Sequence, residues 1–259
     1  MNPYDENAVE EAIRIKEKIG KGEVNIITIG PPRAEDAIRW CLAMGADNAF
    51  HIVLDDKKEL DPWNTASILA ECIKKMEYDL LLFGKKAVDD EMGQVGIFVA
   101  ELLGLPVVSE VTRLELFFKE RRVTVQRALE KGNEEIVECN LPSVFTVDKR
   151  LNRPRYPAFP SRKDAYKKII HRIDLNSLDT LKDKKYRELL IYTIRIAPPK
   201  LGPKKILSPD SNLPAAGRMA WVMSGGISKK KGGVLGGDPE KLADGIIDFL
   251  KERKIISAN

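Results

Sequence analysis

One stretch of this chain decides its fold, because a short apolar run there passes through a glycine-punctuated loop into an amphipathic segment. It reads Leu80-Leu81-Leu82-Phe83-Gly84-Lys85-Lys86-Ala87-Val88-Asp89-Asp90-Glu91-Met92-Gly93-Gln94-Val95-Gly96. A continuous apolar run that ends in glycine is typical of a strand buried on both faces of a parallel sheet. The segment from Gly93 to Leu103 follows helical spacing, with apolar residues at Val95, Phe98, Val99 and Leu102. The stretch therefore predicts a strand, a loop and a helix in succession.

The same alternation precedes this stretch. Helices are predicted from Asn2-Pro3 to about Ile19, over 33–44, and from Asp61-Pro62 onward; strands are predicted over 24–29 and 49–54. Alternating strands and helices indicate an α/β fold with a doubly wound, mostly parallel sheet. Such sheets usually begin with a strand, whereas this chain opens on a helix. We therefore expect that a first strand upstream of residue 2 is missing from the sequence.

After residue 106 the pattern changes to short β-type runs at 107–115, 123–128, 136–140 and 144–147, which predict an antiparallel extension of the sheet. Residues 150–168 are basic and contain prolines. Residues 198–237 hold eight of the 18 glycines and five of the 15 prolines, which favours an extended arm. A last helix is predicted over 238–251. We expect an α/β domain over 1–180, followed by a C-terminal arm and helix over 181–259.

Composition excludes several function classes. The net charge is +4, and acids and bases are interleaved along most of the chain, so a nucleic-acid partner is not expected. Three widely spaced cysteines and two isolated histidines form no metal-ligand motif and no disulfide framework, which favours a reducing compartment and no metal site. No apolar run reaches the roughly 20 residues needed to span a membrane, and no signal segment opens the chain. We expect a soluble, cytoplasmic protein without a membrane span.

The loop between Gly84 and Gly96 is the best candidate for chemistry. Ligands of open α/β sheets bind at the carboxyl ends of the strands, and glycines at a helix start leave backbone N–H groups open to an anion. Asp89, Asp90 and Glu91 would repel a phosphate unless they turn away, cap the helix or bind a ribose hydroxyl. Two interpretations stay open here: the loop binds a nucleotide, or its acids only cap the helix. Gly30-Pro31 ends a neighbouring predicted strand in the same way.

A second glycine cluster is Ser224-Gly225-Gly226-Ile227-Ser228, which resembles the SGGxxS loop of ATP pyrophosphatases. That loop should follow the first strand of a sheet, whereas this one lies near the C-terminus, so a flexible linker is the alternative. No Ser/His/Asp, Cys/His or paired-carboxylate arrangement is visible, and we predict no catalytic residue.

Several motifs together resemble one family. They are Asn2-Pro3-Tyr4-Asp5-Glu6-Asn7-Ala8-Val9-Glu10-Glu11-Ala12, Gly30-Pro31-Pro32, Leu42-Ala43-Met44-Gly45-Ala46-Asp47, Ala87-Val88-Asp89-Asp90 through Gln94-Val95-Gly96, Leu141-Pro142-Ser143-Val144-Phe145-Thr146-Val147 and Leu151-Asn152-Arg153-Pro154-Arg155-Tyr156. In this order, over residues 2–172, they resemble the β subunits of electron-transfer flavoproteins. The resemblance implies a Rossmann-like fold of the adenine-nucleotide α-hydrolase type, whose first strand lies upstream of the Asn2-Pro3 segment. Lys131 and Arg153 depart from the family pattern.

The resemblance also implies an adenine-nucleotide site. Its expected residues are Asn2, Pro3, Tyr4, Asp5, Ile29, Gly30, Ala87, Val88, Asp89, Asp90, Gly93, Gln94, Val95 and Gly96. In this family the main FAD lies mostly in the α subunit, and the β subunit holds AMP or, in electron-bifurcating members, a second FAD. The Gln94-Val95-Gly96 segment is similar to the members with a second FAD, so FAD is expected here, with AMP as the alternative. The resemblance to members with a second FAD also implies that the protein could take part in NADH-dependent electron bifurcation.

The family further implies two kinds of partner: the α subunit, and dehydrogenases contacted by an apolar residue after the Arg-Tyr pair. Here that residue is Phe159, which lies between Pro157 and Pro160 and follows Arg155 and Tyr156. An exposed aromatic residue rimmed by Arg155 and Arg162 would suit a binding anchor. The alternative is that Phe159 packs on its own domain.

Three functions are compatible with these observations. The first is a redox carrier subunit that shuttles electrons between dehydrogenases or NADH and other acceptors, rather than a stand-alone enzyme. The second is an ATP-using enzyme of the pyrophosphatase-like fold, which the missing catalytic motif disfavours. The third is a nucleotide-sensing module, which the partner-directed segments disfavour.

Overall fold

The computed structural model describes residues 1–54, 60–174, 178, 189–191, 194, 209, 212–223, 243–247 and 250. The chain divides into two units, Met1–Arg195 and Ile196–Asn259. Each unit is considered by itself. The functional division at residue 180 stays a prediction.

The first unit alternates helices and strands, which confirms the α/β class. Its helices are α1 (Pro3–Ile19), α2 (Glu35–Met44), α3 (Pro62–Ile73), α4 (Val95–Leu103) and α5 (Phe159–Ala165). Its strands are β1 (Asn25–Gly30), β2 (Asn48–Val53), β3 (Leu80–Gly84), β4 (Val107–Phe117), β5 (Arg122–Ala128), β6 (Glu134–Asn140), β7 (Ser143–Val147) and β8 (Ile170–Asp174). A single 3₁₀ turn, Pro32–Ala34, precedes α2.

The helix termini follow from local sequence. Helix α1 begins with a proline after Asn2, carries Asp5 and Glu6 in its first turn, and ends at Gly20, whose φ of 76° suits glycine. Helix α3 begins after Asp61, whose Oδ1 accepts a hydrogen bond from the N–H of Asn64 at 2.7 Å.

The strands form two sheets where one was predicted. The first is parallel and has the order β1-β2-β8; the second has the order β3-β7-β4-β5-β6. In the second sheet β3, β7 and β4 are parallel, and β5 and β6 add the predicted antiparallel extension. Neither sheet has a strand that precedes α1 among the described residues.

The sequence interpretation missed two elements between residues 150 and 174. Helix α5 starts at Phe159 and has Pro160 in its first turn, where the absent N–H of proline removes no helical hydrogen bond. Strand β8 pairs with β2 in parallel, although His171 and Arg172 interrupt any apolar alternation.

The second unit corrects part of the predicted arm. Residues Ala215–Met223 form a helix, α6, within the segment 198–237 that was expected to be extended. Residues 243–247 are helical, inside the predicted helix 238–251. Most other residues of the predicted arm, including 224–228, lie outside the described residues.

Strand burial separates the centre of the second sheet from its margin. Val144, Phe145 and Val147 of β7 are completely buried, whereas every residue of β3 is only partly buried. Strand β3 has β7 on one side and, among the described residues, no strand on the other; β1 likewise has only β2. Ile27 and Ile29 of β1 nevertheless pack on the same buried cluster as Phe83 of β3.

The start of α1 is fastened to the end of β3. The N–H of Gly84 donates a hydrogen bond to Asp5 Oδ1 at 2.8 Å. A Cβ atom at Gly84 would lie 2.4 Å from that oxygen and 2.8 Å from the backbone nitrogen of Asp5. Burial raises the pKa of Asp5, although hydrogen bonds from Asn2 and Gly84 oppose this effect. Only glycine permits this close approach of helix and strand.

Charged residues close the ends of β3 and β7. Lys85 Nζ lies 2.9 Å from Asp148 Oδ2 and 3.2 Å from Glu110 Oε2, and Arg150 Nε lies 2.9 Å from Asp148 Oδ1. Burial alone would raise the pKa of Asp148, but the bonds from Lys85 and Arg150 outweigh it and lower the pKa to about 2. The carboxylate thus stays ionised and links both strand ends.

We expect Gly84→Ala to destabilise the first unit by about 1–3 kcal/mol, because the added methyl collides with the first turn of α1. Urea denaturation measures the change. In the background of Asp5→Ala, which removes the nearest colliding atom, the same substitution should cost less. If Gly84→Ala lowered the free energy of unfolding equally with Asp5 and with Ala at position 5, the collision with the Asp5 side chain would not be the cause of the loss.

Asp148→Asn should reduce the free energy of unfolding by about 2 kcal/mol at pH 7, given the lowered pKa of the carboxyl group. A depressed pKa stabilises the fold above the unfolded value near about 3.9, so the advantage of Asp148 should shrink as pH falls from 4 towards 2. The control is Asp79→Asn, which removes a half-exposed pair with Arg121 and should change stability by about 1 kcal/mol or less. If the difference in unfolding free energy between Asp148→Asn and the unmodified chain did not change with pH, the lowered pKa of Asp148 would be refuted.

Candidate functional site

Two of the three predicted nucleotide-site segments meet at the carboxyl end of β3. Asn2 Nδ2 donates hydrogen bonds to the carbonyl oxygen of Lys86 at 3.0 Å and to Asp5 Oδ2 at 3.1 Å. Lys85 donates its N–H to the carbonyl of Val147 at 3.0 Å, which continues the pairing of β3 and β7 into the loop. The first turn of α1 and the loop from 85 to 94 therefore form one surface.

The side-chain oxygen of Asn2 is an acceptor without a hydrogen-bond donor. Asn2 Oδ1 is buried and has no hydrogen-bond partner, although the Nδ2 of the same amide has two. A buried acceptor without a donor costs about 1–3 kcal/mol, so such an atom suits a ligand that carries an N–H or O–H group. Tyr4 also belongs to the first turn of α1, and the centre of its ring lies 5.8 Å from Lys85 Nζ.

The start of α4 is open to an anion. The residue before it, Gln94, makes no side-chain capping hydrogen bond, and the first four N–H groups of a helix have no partner within the helix. Gly93 has a φ of 63°, and a Cβ there would lie 2.8 Å from the carbonyl oxygen of Lys85. Gly96 packs on Thr146 and Phe83, at 3.0–3.2 Å from the position a Cβ would take. Both glycines therefore bring the backbone close to β3 and β7.

The three acids of the loop bond within the loop. Asp89 Oδ1 accepts from the N–H of Asp90 at 2.9 Å, and Asp90 Oδ1 accepts from the N–H of Met92 at 3.1 Å. Glu91 pairs with Lys86 at 3.0 Å. The interpretation that these acids only cap α4 is wrong, since none of them caps it.

A cavity of about 220 Å³ lies beside this loop. Its lining includes Lys85, Lys86, Gly93, Ile97, Glu110 and Thr146. Burial lowers the pKa of Lys85, but its bonds to Asp148 and Glu110 outweigh this and raise it. The cavity thus has a charged lysine in its wall, next to a loop that starts a helix.

The third predicted segment lies in the other sheet. Gly30 ends β1, and its carbonyl oxygen lies 2.9 Å from His51 Nε2 and accepts from the N–H of Leu54 at 2.9 Å. In the part of the chain that the structure describes, no hydrogen bond joins Ile29 or Gly30 to the loop after β3. Ile29 reaches the same side only through the shared apolar cluster.

The predicted partner residues lie on a separate surface. Phe159 is 79% exposed and Tyr156 is 75% exposed, so the alternative that Phe159 packs on its own domain is wrong. Trp40 supports Tyr156 edge to face, with 5.4 Å between ring centres, and the guanidinium of Arg162 lies 5.5 Å from the Trp40 ring. We call Trp40, Tyr156, Phe159 and Arg162 the aromatic surface.

Arg155 does not rim this surface as expected but fastens its chain segment to α1. Its guanidinium donates to both carboxylate oxygens of Glu10 at 2.8 and 3.1 Å, and to Glu17 at 2.6 and 2.9 Å. The hydrogen bonds that Arg155 donates to the carboxylates of Glu17 and Glu10 raise the pKa of its guanidinium group. Asn152 adds a bond to the carbonyl of Asn7 at 3.0 Å.

The sequence interpretation missed several residues of the site: Lys85, Ser109, Glu110, Thr146 and Asp148. Asp148 directly follows the predicted strand at 144–147, and the rule that ligands lie at carboxyl ends of strands could have identified it. Glu110 gave no such signal, because it lies inside a strand. Among the described residues, no group of His, Cys, Asp and Glu could hold a metal ion, and no helix could cross a membrane.

Comparison with known proteins identifies the family. Residues 1–178 match the sequence profile of the electron transfer flavoprotein domain. The chain is 39% identical to the electron transfer flavoprotein subunit beta of Bacillus subtilis over 209 residues, which cover 80% of this chain and 79% of the relative. It is 43% identical to the protein of the same name from Thermoanaerobacterium thermosaccharolyticum over 168 residues, or 65% of this chain and 63% of that relative.

A third relative carries a more specific name. It is the Caffeyl-CoA reductase-Etf complex subunit CarD of Acetobacterium woodii, 40% identical over 173 residues, which cover 66% of this chain and 64% of the relative. The chain thus spans slightly less than two thirds of two of these relatives and about four fifths of the third. The matched region contains both sheets and the loop after β3. The chain therefore belongs to the electron transfer flavoprotein family, among its beta subunits.

Proposed function

We propose that this chain works with an α subunit as a redox carrier that shuttles electrons between dehydrogenases or NADH and other acceptors. It binds an adenine nucleotide where the first turn of α1 meets the loop after β3. The observation that carries the proposal is the buried, unpartnered Oδ1 of Asn2 at this junction, in a chain of this family. A protein that carries electrons through a bound cofactor needs no catalytic acid or base of its own.

The residues at the junction fit an adenine nucleotide. Asn2 Oδ1 would accept a hydrogen bond from a ribose hydroxyl or an adenine amino group. The open N–H groups at the start of α4 would hold a phosphate, helped by the helix dipole. Lys85 and Lys86 line the adjoining cavity, where each is paired with a glutamate of the same lining, so they would offset only part of the negative charge. Asp89 and Asp90 are exposed in the same loop, and a carboxylate can accept a hydrogen bond from a ribose hydroxyl.

We propose FAD rather than AMP as the nucleotide. Gly93-Gln94-Val95-Gly96 offers backbone donors and few bulky side chains at the helix start, which leaves room for a pyrophosphate to continue. When bound, the flavin ring supplies the electron-accepting chemistry, and the chain binds and orients it. The Acetobacterium woodii relative is named for a reductase complex. With FAD in this subunit, we also propose that the protein takes part in NADH-dependent electron bifurcation.

The α subunit is the expected partner of residues 181–259. In the described part of that segment, helix α6 exposes Met219, Val222 and Met223 by 62–83%. Side chains of this kind are commonly buried in a complex. The aromatic surface of the first unit would serve the dehydrogenases, with Phe159 as its anchor. We place the protein in the cytoplasm, without a nucleic-acid partner.

The two other functions receive no support from the described residues. The Ser224–Ser228 cluster, on which an ATP-using enzyme would depend, lies outside them. A nucleotide-sensing module would not need the exposed aromatic surface. A purified complex that is colourless and hydrolyses ATP would favour the enzyme over the redox carrier.

The nucleotide content of the complex tests the choice of cofactor. We expect two FAD molecules for each αβ heterodimer, since one would occupy each subunit. Denatured complex would be analysed by chromatography and by flavin absorbance. Asn2→Leu, which removes the acceptor oxygen at similar volume, should lower the content to about one FAD. One FAD together with one AMP would refute the assignment to FAD while leaving nucleotide binding intact.

Phe159→Ala should weaken binding of a partner dehydrogenase by about 2 kcal/mol, the loss typical of an aromatic anchor at an interface. Rates of electron transfer measured over a range of dehydrogenase concentrations give the change in affinity, and nucleotide content should stay the same. The matched control is Ile136→Ala, which truncates a 75% exposed apolar residue on β6. Equal kinetics for Phe159→Ala and the unmodified chain would exclude the proposed anchor.

A further inference from the structure

Helix α5 carries the exposed Phe159 at its first position but has few contacts of its own to hold it in place. It is seven residues long, and Ala158 before it has no side chain that could cap the first turn. Helices of this length are not stable in isolation. Of its seven described residues, only Ala165 is buried. The direction of α5, and with it the place of Phe159, is therefore set by contacts with the rest of the unit.

Arg39 of helix α2 holds the carboxyl end of α5. Its Nη1 donates hydrogen bonds to the carbonyl oxygen of Ala165 at 2.7 Å and to that of Lys168 at 2.5 Å. The last carbonyl groups of a helix have no partner inside the helix, and an arginine nearby can satisfy them. The guanidinium carbon also lies 5.9 Å from the centre of the Tyr166 ring, within the range of a cation–π contact. One side chain thus contacts the end of α5 at three points.

The helix that carries Arg39 is itself part of the core. Ile38, Cys41 and Leu42 of α2 are buried, and they belong to the same apolar cluster as Ala165 of α5. Arg39 is only partly exposed. Hydrogen bonds from a charged donor are stronger than those between neutral groups. A guanidinium on a core helix is therefore a firm point of attachment for α5.

The next residue, Trp40, holds the chain before α5. Its ring packs edge to face on Tyr156, with 5.4 Å between ring centres, and its Nε1–H donates to Glu6 Oε1 at 2.8 Å. Two consecutive residues of α2 thus hold the segment 156–168 near both of its ends, whereas Phe159 between these points is 79% exposed. An exposed anchor that is held by its flanking residues is organised before its partner arrives.

We propose that Arg39 is a positioning residue for partner binding, which fixes α5 so that Phe159 is presented in the orientation that a dehydrogenase binds. This inference rests on the proposed function, in which Phe159 is the anchor. At about 1.5 Å per residue, Phe159 lies about 9 Å along the helix from Ala165, so a tilt at the fastened end displaces the aromatic ring. Fixing the helix beforehand removes an ordering cost from the binding step.

Hydrogen exchange in the αβ complex tests whether Arg39 holds α5. Arg39→Met keeps the unbranched stem and removes every donor, so the amides of 162–168 that bond within α5 and its last turn should exchange at least about tenfold faster. Arg39→Lys should exchange more slowly than Arg39→Met, because one nitrogen makes both bonds and an ammonium group can replace it. The control Arg121→Met removes an arginine that pairs with Asp79 and should leave this segment unchanged. Unchanged exchange in Arg39→Met overturns the inference.

Electron transfer over a range of dehydrogenase concentrations tests whether Arg39 acts through Phe159. Arg39→Met should raise the half-saturating concentration about five- to tenfold, since the dehydrogenase must then order α5 itself. The maximal rate and the nucleotide content should stay the same, and Arg39→Lys should recover part of the affinity. In the background of Phe159→Ala, Arg39→Met should raise the half-saturating concentration no further, because the two residues act as one unit.

The outcomes separate the positioning role from the function on which it rests. An unchanged half-saturating concentration in Arg39→Met, while Phe159→Ala raises it, overturns the positioning role alone. An effect of Arg39→Met that is undiminished in the Phe159→Ala background overturns it as well. Unchanged kinetics in Phe159→Ala overturn the proposed anchor itself. If Arg39→Met loses its nucleotide, the same comparison with Arg39→Lys decides, and an effect seen only when Phe159 is present supports the role.

Discussion

The close contact between Gly84 and Asp5 is the constraint on which the site depends. It brings the first turn of α1 against the end of β3 at a distance that no side chain would permit. Asn2 then reaches the carbonyl of Lys86, and the loop after β3 is fixed between α1 and β7. The loop then turns back at Gly93, which has a positive φ, and leads into the start of α4. A helix and a strand far apart in sequence thus form one wall of the site.

Helix α1 also supports the surface proposed for partner proteins. Asn7, Glu10 and Glu11 are buried polar residues on this helix, and each serves the segment that leads to the aromatic surface. Glu10 binds Arg155, whereas Asn7 and Glu11 bind Asn152. Buried carboxylates are tolerated only when they are paired, and here the pairing determines where Tyr156 and Phe159 lie. One helix therefore determines the geometry of both candidate sites: its first turn contacts the loop after β3, and its later turns hold the segment before the aromatic surface.

Much of this arrangement could be predicted from sequence, because periodicity and helix-terminal residues are local signals. The strand at Leu80–Gly84, the helix after it and the helix starts that follow Asn2 and Asp61 all depend on neighbours within a few residues. The division into two sheets could not be predicted, since strand pairing depends on distant segments. Strand β8 was missed because its stability comes from β2 rather than from its own pattern. Lys85 and Glu110 become neighbours through the bulge in β4, where its register against β5 and β7 shifts, and no local sequence pattern predicts this bulge.

The half-buried margins of β1 and β3 have a consequence for how the protein behaves at high concentration. Among the described residues, each of these strands pairs with a neighbouring strand on one side only, and β3 is a short run of leucine and phenylalanine that ends in glycine. Many proteins protect such margins with lysine, proline or a covering segment, whereas Ile27, Ile29, Leu81 and Phe83 present mainly apolar side chains there. A margin of this composition is a template for strands of other molecules. Where a margin of this kind is left uncovered, self-association through added strands, rather than loss of the folded core, is the expected consequence.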